Sequence, residues 1–338
     1  MNKKRVLAML LAGAMALSMT ACGGGNSAST DGSSNDGASA SGGSYKVSVI
    51  LKTLAAEYWQ YVKSGAEDYA SEHSDKVTVE VKGPSSETAF DEMQNMIETD
   101  LSSGTYDGIV ISPLQSDTAA QLVSGTKLPI VAIDTNFTAP EVKSFVGTGN
   151  EAAAKKGGEA AVEAAKAAGW TDIKCIEIAG VQGDQTNTAR MNGYKAGVEE
   201  AGGTFLSDEV QYADATADRA TTAMEAIMQT HPEGIAIICA NNDDMAMAAA
   251  RAAQGHDAYK NTIFLGFNGD RAACEAILDG QMTMSVAQMA YEMGYKAVET
   301  MVQVLDGETV DEFVDSGSDV VTPDNAQERL DTLKTQLH

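Results

Sequence analysis

Short apolar runs rich in β-branched residues alternate with stretches of helical spacing from Tyr45 onward, and this alternation restricts the fold more than any other feature of the chain. In the first half the runs are 46–51, 77–81, 108–111 and 128–133, with helical stretches at 57–72 and 90–101. In the second half the runs are 173–178, 204–211, 235–239, 262–266 and 282–286. They alternate with helices at 151–168, 188–201, 218–229, 243–253 and 271–278. Runs such as 108–111 and 128–133, apolar at nearly every position, suit strands buried on both faces, the condition of a parallel sheet covered by helices. Strands alternating with helices build βαβ units. The pattern runs twice, so we expect an α/β chain of two similar doubly wound parallel-sheet lobes joined by several crossings. A helix at 291–305 returns late in the chain to cover the first lobe, and 326–337 forms a terminal surface helix. The 338 residues leave room for two such domains.

In open parallel sheets, small ligands bind beyond the carboxyl ends of the strands. Here those segments are 52–59, 112–114, 134–136, 180–190, 240–243 and 267–269, and most of their residues are polar or aromatic. Structural loops can be equally polar, so the rule says where to look and not what binds. Covalent chemistry has no visible home. The four histidines, His73, His231, His256 and His338, include no zinc-binding pair at helical spacing, and no cysteine pair has zinc-ligand spacing. No nucleophile-elbow or phosphate-loop motif occurs, and the partial glycine motif at Gly147 and Gly149 reads as a strand-to-helix turn. We expect no enzyme, no cofactor and no metal. Cys175, Cys239 and Cys274 lie in apolar patterns and read as buried free thiols.

The N-terminus reads as an address label. Lys3, Lys4 and Arg5 precede an apolar run over 6–17, too short to span a bilayer comfortably, and then come Ala21, Cys22 and three glycines. A small residue before a single cysteine, directly after such a run, resembles a bacterial lipoprotein box. That resemblance implies cleavage before Cys22, lipidation of its thiol and an extracytoplasmic, membrane-anchored protein; an ordinary secretory signal cut nearby is the alternative. Residues 23–44 include seven Gly and seven Ser and read as a flexible tether spanning roughly 25 Å. The chain carries a formal charge of -25. Removing residues 1–21 leaves 20 basic and 48 acidic side chains, or -28. A surface that acidic repels phosphate backbones and argues against a nucleic-acid partner.

Several strand-end segments, taken in order, resemble the type I sugar-binding proteins of ABC transporters, the ribose/galactose-binding group. They are 54–59, 129–134, 183–194 with Ala189, Arg190 and Gly193, 240–246, 266–269 and 286–288, and the likeness covers about 45–322. The resemblance implies a monosaccharide held in a cleft between two lobes, hinge closure on binding, delivery to a membrane permease, and a monomer. It implies that Tyr58 and Trp59 are the aromatic pair that sandwiches the sugar ring, although a helix start packed on the core would also place them. Asp134 would accept hydroxyl protons. Arg190 would donate to the ring oxygen and hydroxyls, with a surface salt bridge as its alternative. Asn242, Asn268 and Gln288 would bond hydroxyls, and Asn242 could equally cap a helix. Thr135 joins the ligand-binding set at a position where Arg is frequent in ribose binders. Asn268 stands where Asp is frequent, and Ala56 where Asn is expected. These departures leave room for a nucleoside, polyol or signalling furanone as ligand, or for a sensory partner of a chemoreceptor. The resemblance also sets boundaries: 1–21 signal peptide, 22–44 tether, 45–148 plus 289–316 first lobe, 149–288 plus 317–338 second lobe.

Overall fold

The computed structural model describes residues 44–337; the signal peptide, Cys22 and nearly all of the expected tether lie outside the described residues. The chain opens with β1 (Tyr45–Ile50), α1 (Glu57–Glu72), β2 (Val77–Lys82), α2 (Phe90–Ser103), β3 (Gly108–Ile111), α3 (Ser116–Val123), β4 (Ile130–Ile133) and β5 (Val142–Gly147). It continues with α4 (Asn150–Ala167), β6 (Lys174–Ala179), α5 (Gln185–Glu200), β7 (Thr204–Phe205), β8 (Gln211–Tyr212), α6 (Ala217–Thr230) and β9 (Ile237–Ala240). Then come α7 (Asp243–Ala253), β10 (Ile263–Asn268), α8 (Arg271–Leu278) and β11 (Met284–Gln288). It closes with α9 (Ala290–Leu305), β12 (Phe313–Asp315), β13 (Ser318–Val321) and α10 (Ala326–Leu333).

These strands form two sheets. The first has the order β12-β5-β4-β3-β1-β2, and all its pairings are parallel. The second runs β13-β11-β10-β9-β6-β7, with β8 also on β6; only β13 is antiparallel. The strand order reverses direction beside β1 in one sheet and beside β6 in the other, which creates the switch points where α/β sheets bind ligands. The chain passes between the sheets three times, after β5, after β11 and after β12. Strands β3, β4 and β9 are buried at every position, the reason that they read as continuous apolar runs.

Helix α9 covers the first sheet, as its late position suggested, and lies against α1. Gly65 and Gly294 make this approach possible. A Cβ on Gly65 would stand 1.9 Å from the Tyr291 carbonyl oxygen, and one on Gly294 1.9 Å from that of Val62.

Several details differ from the sequence reading. The expected strand at 204–211 is two two-residue strands broken by a 3-10 turn at Ser207–Glu209, where Asp208 and Glu209 interrupt the apolar pattern. Helix α5 starts three residues before the expected 188, because Asp184 caps it with its side chain on the Thr186 and Asn187 amides. Helix α10 stops at Leu333, four residues short of 337. Helix α3 and strands β5 and β12 had no counterpart in that reading. Cys175, Cys239 and Cys274 are buried free thiols, as expected.

Candidate functional site

A cavity of about 260 Å3 lies between the two sheets, walled by the loops that leave β1, β4, β6, β9 and β10. Tyr58, Trp59, Asp134, Arg190, Asn242, Asn268 and Gln288 all line it. Thr135 does not. It is fully buried, its hydroxyl donates to Asp134 Oδ2 at 2.9 Å, and it lies 2.7 Å from the Thr186 hydroxyl. Its place in the expected binding set is therefore corrected: Thr135 braces Asp134 from behind.

Asp134 follows β4 with φ of 62°, a left-handed conformation that costs a non-glycine residue about 1 kcal/mol and is tolerated where the surroundings hold it. Its Oδ1 accepts the Tyr58 hydroxyl at 2.8 Å. Each carboxylate oxygen is thus fixed by one hydroxyl and keeps a lone pair for a further donor. Burial first, and then the adjacent Asp134 carboxylate, pushes the Tyr58 phenol well above its ordinary pKa, so Tyr58 stays a donor.

Trp59 presents its ring to the same cavity, and its indole N–H donates to Glu87 Oε1 at 3.0 Å. The rings of Tyr58 and Trp59 meet edge to face, 4.9 Å apart and 81° to one another. They form a corner, so one flat ligand ring can stack on only one of them, and the expected two-sided sandwich is not built from this pair.

Across the cavity, Arg190 is clamped by three contacts. Its Nε donates to Asn150 Oδ1 and one terminal nitrogen donates to the Asn241 carbonyl, both at 2.8 Å. The guanidinium lies 3.8 Å above the Phe267 ring. The other terminal nitrogen has no protein partner among the described residues. This is a buried guanidinium with one terminal nitrogen left for the cavity, not a surface salt bridge. Asn242 is committed elsewhere: its Oδ1 caps α7 on the Met245 amide at 2.9 Å, and its Nδ2 donates to the Ala215 carbonyl at 3.2 Å. Asn268 is also occupied at both ends. It accepts Gln288 Nε2 at 3.0 Å and donates to Asp270 Oδ2 at 3.4 Å. Gln288 Oε1 is buried without a partner among the described residues.

Lys52, Asp184, Asn187 and Asn241 lie in the expected strand-end segments but the sequence does not single them out, and Glu87 and Asp270 lie outside those segments; all six line the cavity. Lys52, two residues beyond the end of β1, forms an ion pair with Asp184, the cap of α5 on the other side, while Asp134 Oδ2 lies 4.0 Å away. Burial alone would depress the Lys52 ammonium, but the Asp184, Asp134 and Glu87 carboxylates outweigh it and hold the pKa above its ordinary value. Burial raises Glu87 against the opposing pull of Lys52 and the Trp59 indole. The two sides also meet where Arg271 Nε donates to Glu57 Oε1 at 3.0 Å on the rim. An aromatic face, a carboxylate and a guanidinium donor in one enclosed space suit a ligand with a flat apolar face and a hydroxylated edge. Among the described residues no group of three or more His, Cys, Asp or Glu could hold a metal, and no helix is long and apolar enough to cross a membrane.

The model of the periplasmic binding protein domain matches residues 47–309. The chain is 28% identical over 268 residues to the ribose import binding protein of Escherichia coli, covering 78% of this chain and 86% of that protein. It is 30% identical over 264 residues to the D-allose-binding periplasmic protein of the same organism, covering 75% and 82%. Among solved structures, a solute-binding protein of an ABC transporter from Mycobacterium smegmatis, with glycerol bound, is 26% identical with a TM-score of 0.73 over 85% of this chain and 96% of that one. A carbohydrate transporter solute-binding protein from Agrobacterium radiobacter, in complex with D-arabinose, shares the fold with a TM-score of 0.77 at 24% identity over 87% and 99%.

Proposed function

The chain belongs to the periplasmic binding protein family, and from that membership we propose that it is the extracytoplasmic receptor of a carbohydrate ABC importer, binding a monosaccharide between its lobes. The observation that carries the reading is the meeting of Asp134, just after β4, and Trp59, on α1, with Arg190, on α5, around a single cavity. A sugar bridging these groups binds the closed form more tightly than the open one and shifts the equilibrium toward closure. The Lys52–Asp184 pair, the Thr135–Thr186 contact and the Glu57–Arg271 pair add to the closed form, because each joins the two sides. The relatives named for ribose and D-allose support a neutral sugar as ligand. No covalent step is involved. The lobes of this reading are 45–148 plus 289–316 and 149–288 plus 317–338, and the strand content of the two sheets is what supports them. The receptor acts as a monomer, hands its sugar to a membrane permease, and is tethered through a lipid on Cys22.

The test is a thermal-shift screen of the chain against pentoses, hexoses, polyols and nucleosides. A ligand that binds only the folded protein at about 100 times its dissociation constant stabilises it by about 2.7 kcal/mol, a shift of several degrees. A pentose or hexose hit supports the reading. A nucleoside or polyol hit keeps the receptor and replaces its ligand class. No shift with any compound overturns the sugar assignment.

A further inference from the structure

Three polar residues occupy helix N-cap positions at the cavity wall, and they are used differently. Asp184 caps α5 with its carboxylate, and Asn242 caps α7 with its amide oxygen. Asp270 stands at the same position of α8, and its side chain makes no capping bond. Asp is among the preferred N-cap residues because it satisfies free amides of the first turn. The Asp270 carboxyl forgoes that bond, lines the cavity and is only 8% exposed. Its one side-chain hydrogen bond among the described residues is the long 3.4 Å contact from Asn268 Nδ2.

The loop that carries it is fixed from below. The Asp270 amide donates to Asp243 Oδ2 at 3.0 Å and the Gly269 amide to Ser285 Oγ at 3.0 Å, while Arg329 Nε donates to the Gly269 carbonyl at 3.2 Å. Asn268 has φ of 134°, and holding a non-glycine residue there has a cost. The carboxyl faces Asp243 and Asp244 from α7 and Glu57 from α1, with no cation among the described residues paired to it; Arg271 beside it is turned to Glu57. Burial first, and then these carboxylates, raise the Asp270 pKa well above its ordinary value. A buried acid among acids, held in a strained loop and not capping its helix, is a poor structural choice.

We propose that Asp270 is the second lobe's hydroxyl-binding carboxyl, set opposite Asp134, with Gln288 Oε1 as a further acceptor beside it and Asn268 as the residue that positions both. This rests on reading the cavity as a sugar site. The ligand class it selects is one that presents hydroxyl donors to both lobes. Asn268 receives Gln288 at one end and reaches Asp270 at the other, so its amide orders the pair and is not itself the main contact.

The test uses the full chain and two readouts. Asp270→Asn removes a destabilising charge, so the ligand-free melting temperature rises, by about 2 °C or more. The same change weakens D-allose or D-ribose binding, measured by calorimetry, by about ten-fold or more. A fall in melting temperature makes Asp270 a structural group and overturns the proposal, as does an unchanged affinity for a sugar that the unmutated chain binds. If the unmutated chain binds neither sugar, the proposed ligand fails, while the melting arm still decides whether Asp270 is structural. Asn268→Ala weakens binding, and in the Asp270→Asn background causes little further loss; a fully additive loss contradicts its positioning role.

Discussion

Glu177 offers a quantitative test of the electrostatics beneath the site. It lies on β6, is fully buried, and neither carboxyl oxygen has a hydrogen-bond partner among the described residues. Burial pushes its pKa from an ordinary 4.5 to about 8, and the nearby Asn241 amide and Arg190 guanidinium pull it only partly back. An acid with a folded pKa above its unfolded one binds its proton more tightly in the native state. Stability therefore falls as pH rises from about 4.5 to about 8, and the full cost is reached above the higher value. At about 1.4 kcal/mol per unit, ionisation costs the native state about 1 kcal/mol at pH 5, about 3 at pH 7 and about 4–5 above pH 9. Glu177→Gln keeps the shape and removes the titration. The difference in unfolding free energy between variant and unmutated chain, from urea denaturation at several pH values, should grow by about 2 kcal/mol between pH 5 and pH 7 and level off above pH 9. A difference that does not change with pH would refute the reasoning, because it would show that Glu177 ionises in the folded protein as it does in the unfolded chain, and that burial does not hold its proton.

Other predictions can be checked more simply. Gly294→Ala drives a methyl group into the Val62 carbonyl and should destabilise the first lobe by about 1–3 kcal/mol or more in a denaturant titration; an unchanged midpoint contradicts the close packing of α1 on α9. Thr135→Val removes the brace on Asp134 and should weaken sugar binding by about ten-fold, whereas Asp134→Ala, which loses charge-assisted bonds worth about 1.5–3 kcal/mol each, should abolish it. Cys22→Ser should move the protein from membranes to the soluble fraction, and continued sedimentation with membranes would refute the lipid anchor.

The chain announced its sheets because parallel strands buried on both faces leave continuous apolar runs, as at β3 and β4. Strand β12 left no such trace: it is a three-residue edge strand with Phe313 and Asp315 exposed, and only its pairing with β5 defines it. The 204–211 run shows the opposite failure, since an apolar start did not reveal the acidic turn that splits it. Within the site, residues at strand ends were legible by position, and Asp134 and Arg190 occupy the cavity as position suggested. What position could not show was how each side chain is used. Asn242 and Asn268 stand at the wall with their amides already bonded to protein, while Asp270, four residues beyond the apolar run 262–266 that announces β10, has a carboxyl largely uncommitted. Lys52 read as one polar residue among several, because its partner Asp184 is 132 residues away and belongs to the other sheet's helix.

In the proposed function a sugar enters the space beside Trp59. The chain has two tryptophans, and Trp170 lies outside the cavity, bonded to the Asn261 carbonyl at 2.7 Å. Trp170→Phe therefore leaves Trp59 as the sole indole reporter. Titrating this variant with D-allose and D-ribose should give a saturable change in tryptophan emission for at least one sugar, and Asp134→Ala in the same background should abolish it. Emission that stays constant through millimolar concentrations of both, from a protein that is folded by circular dichroism, would contradict the account.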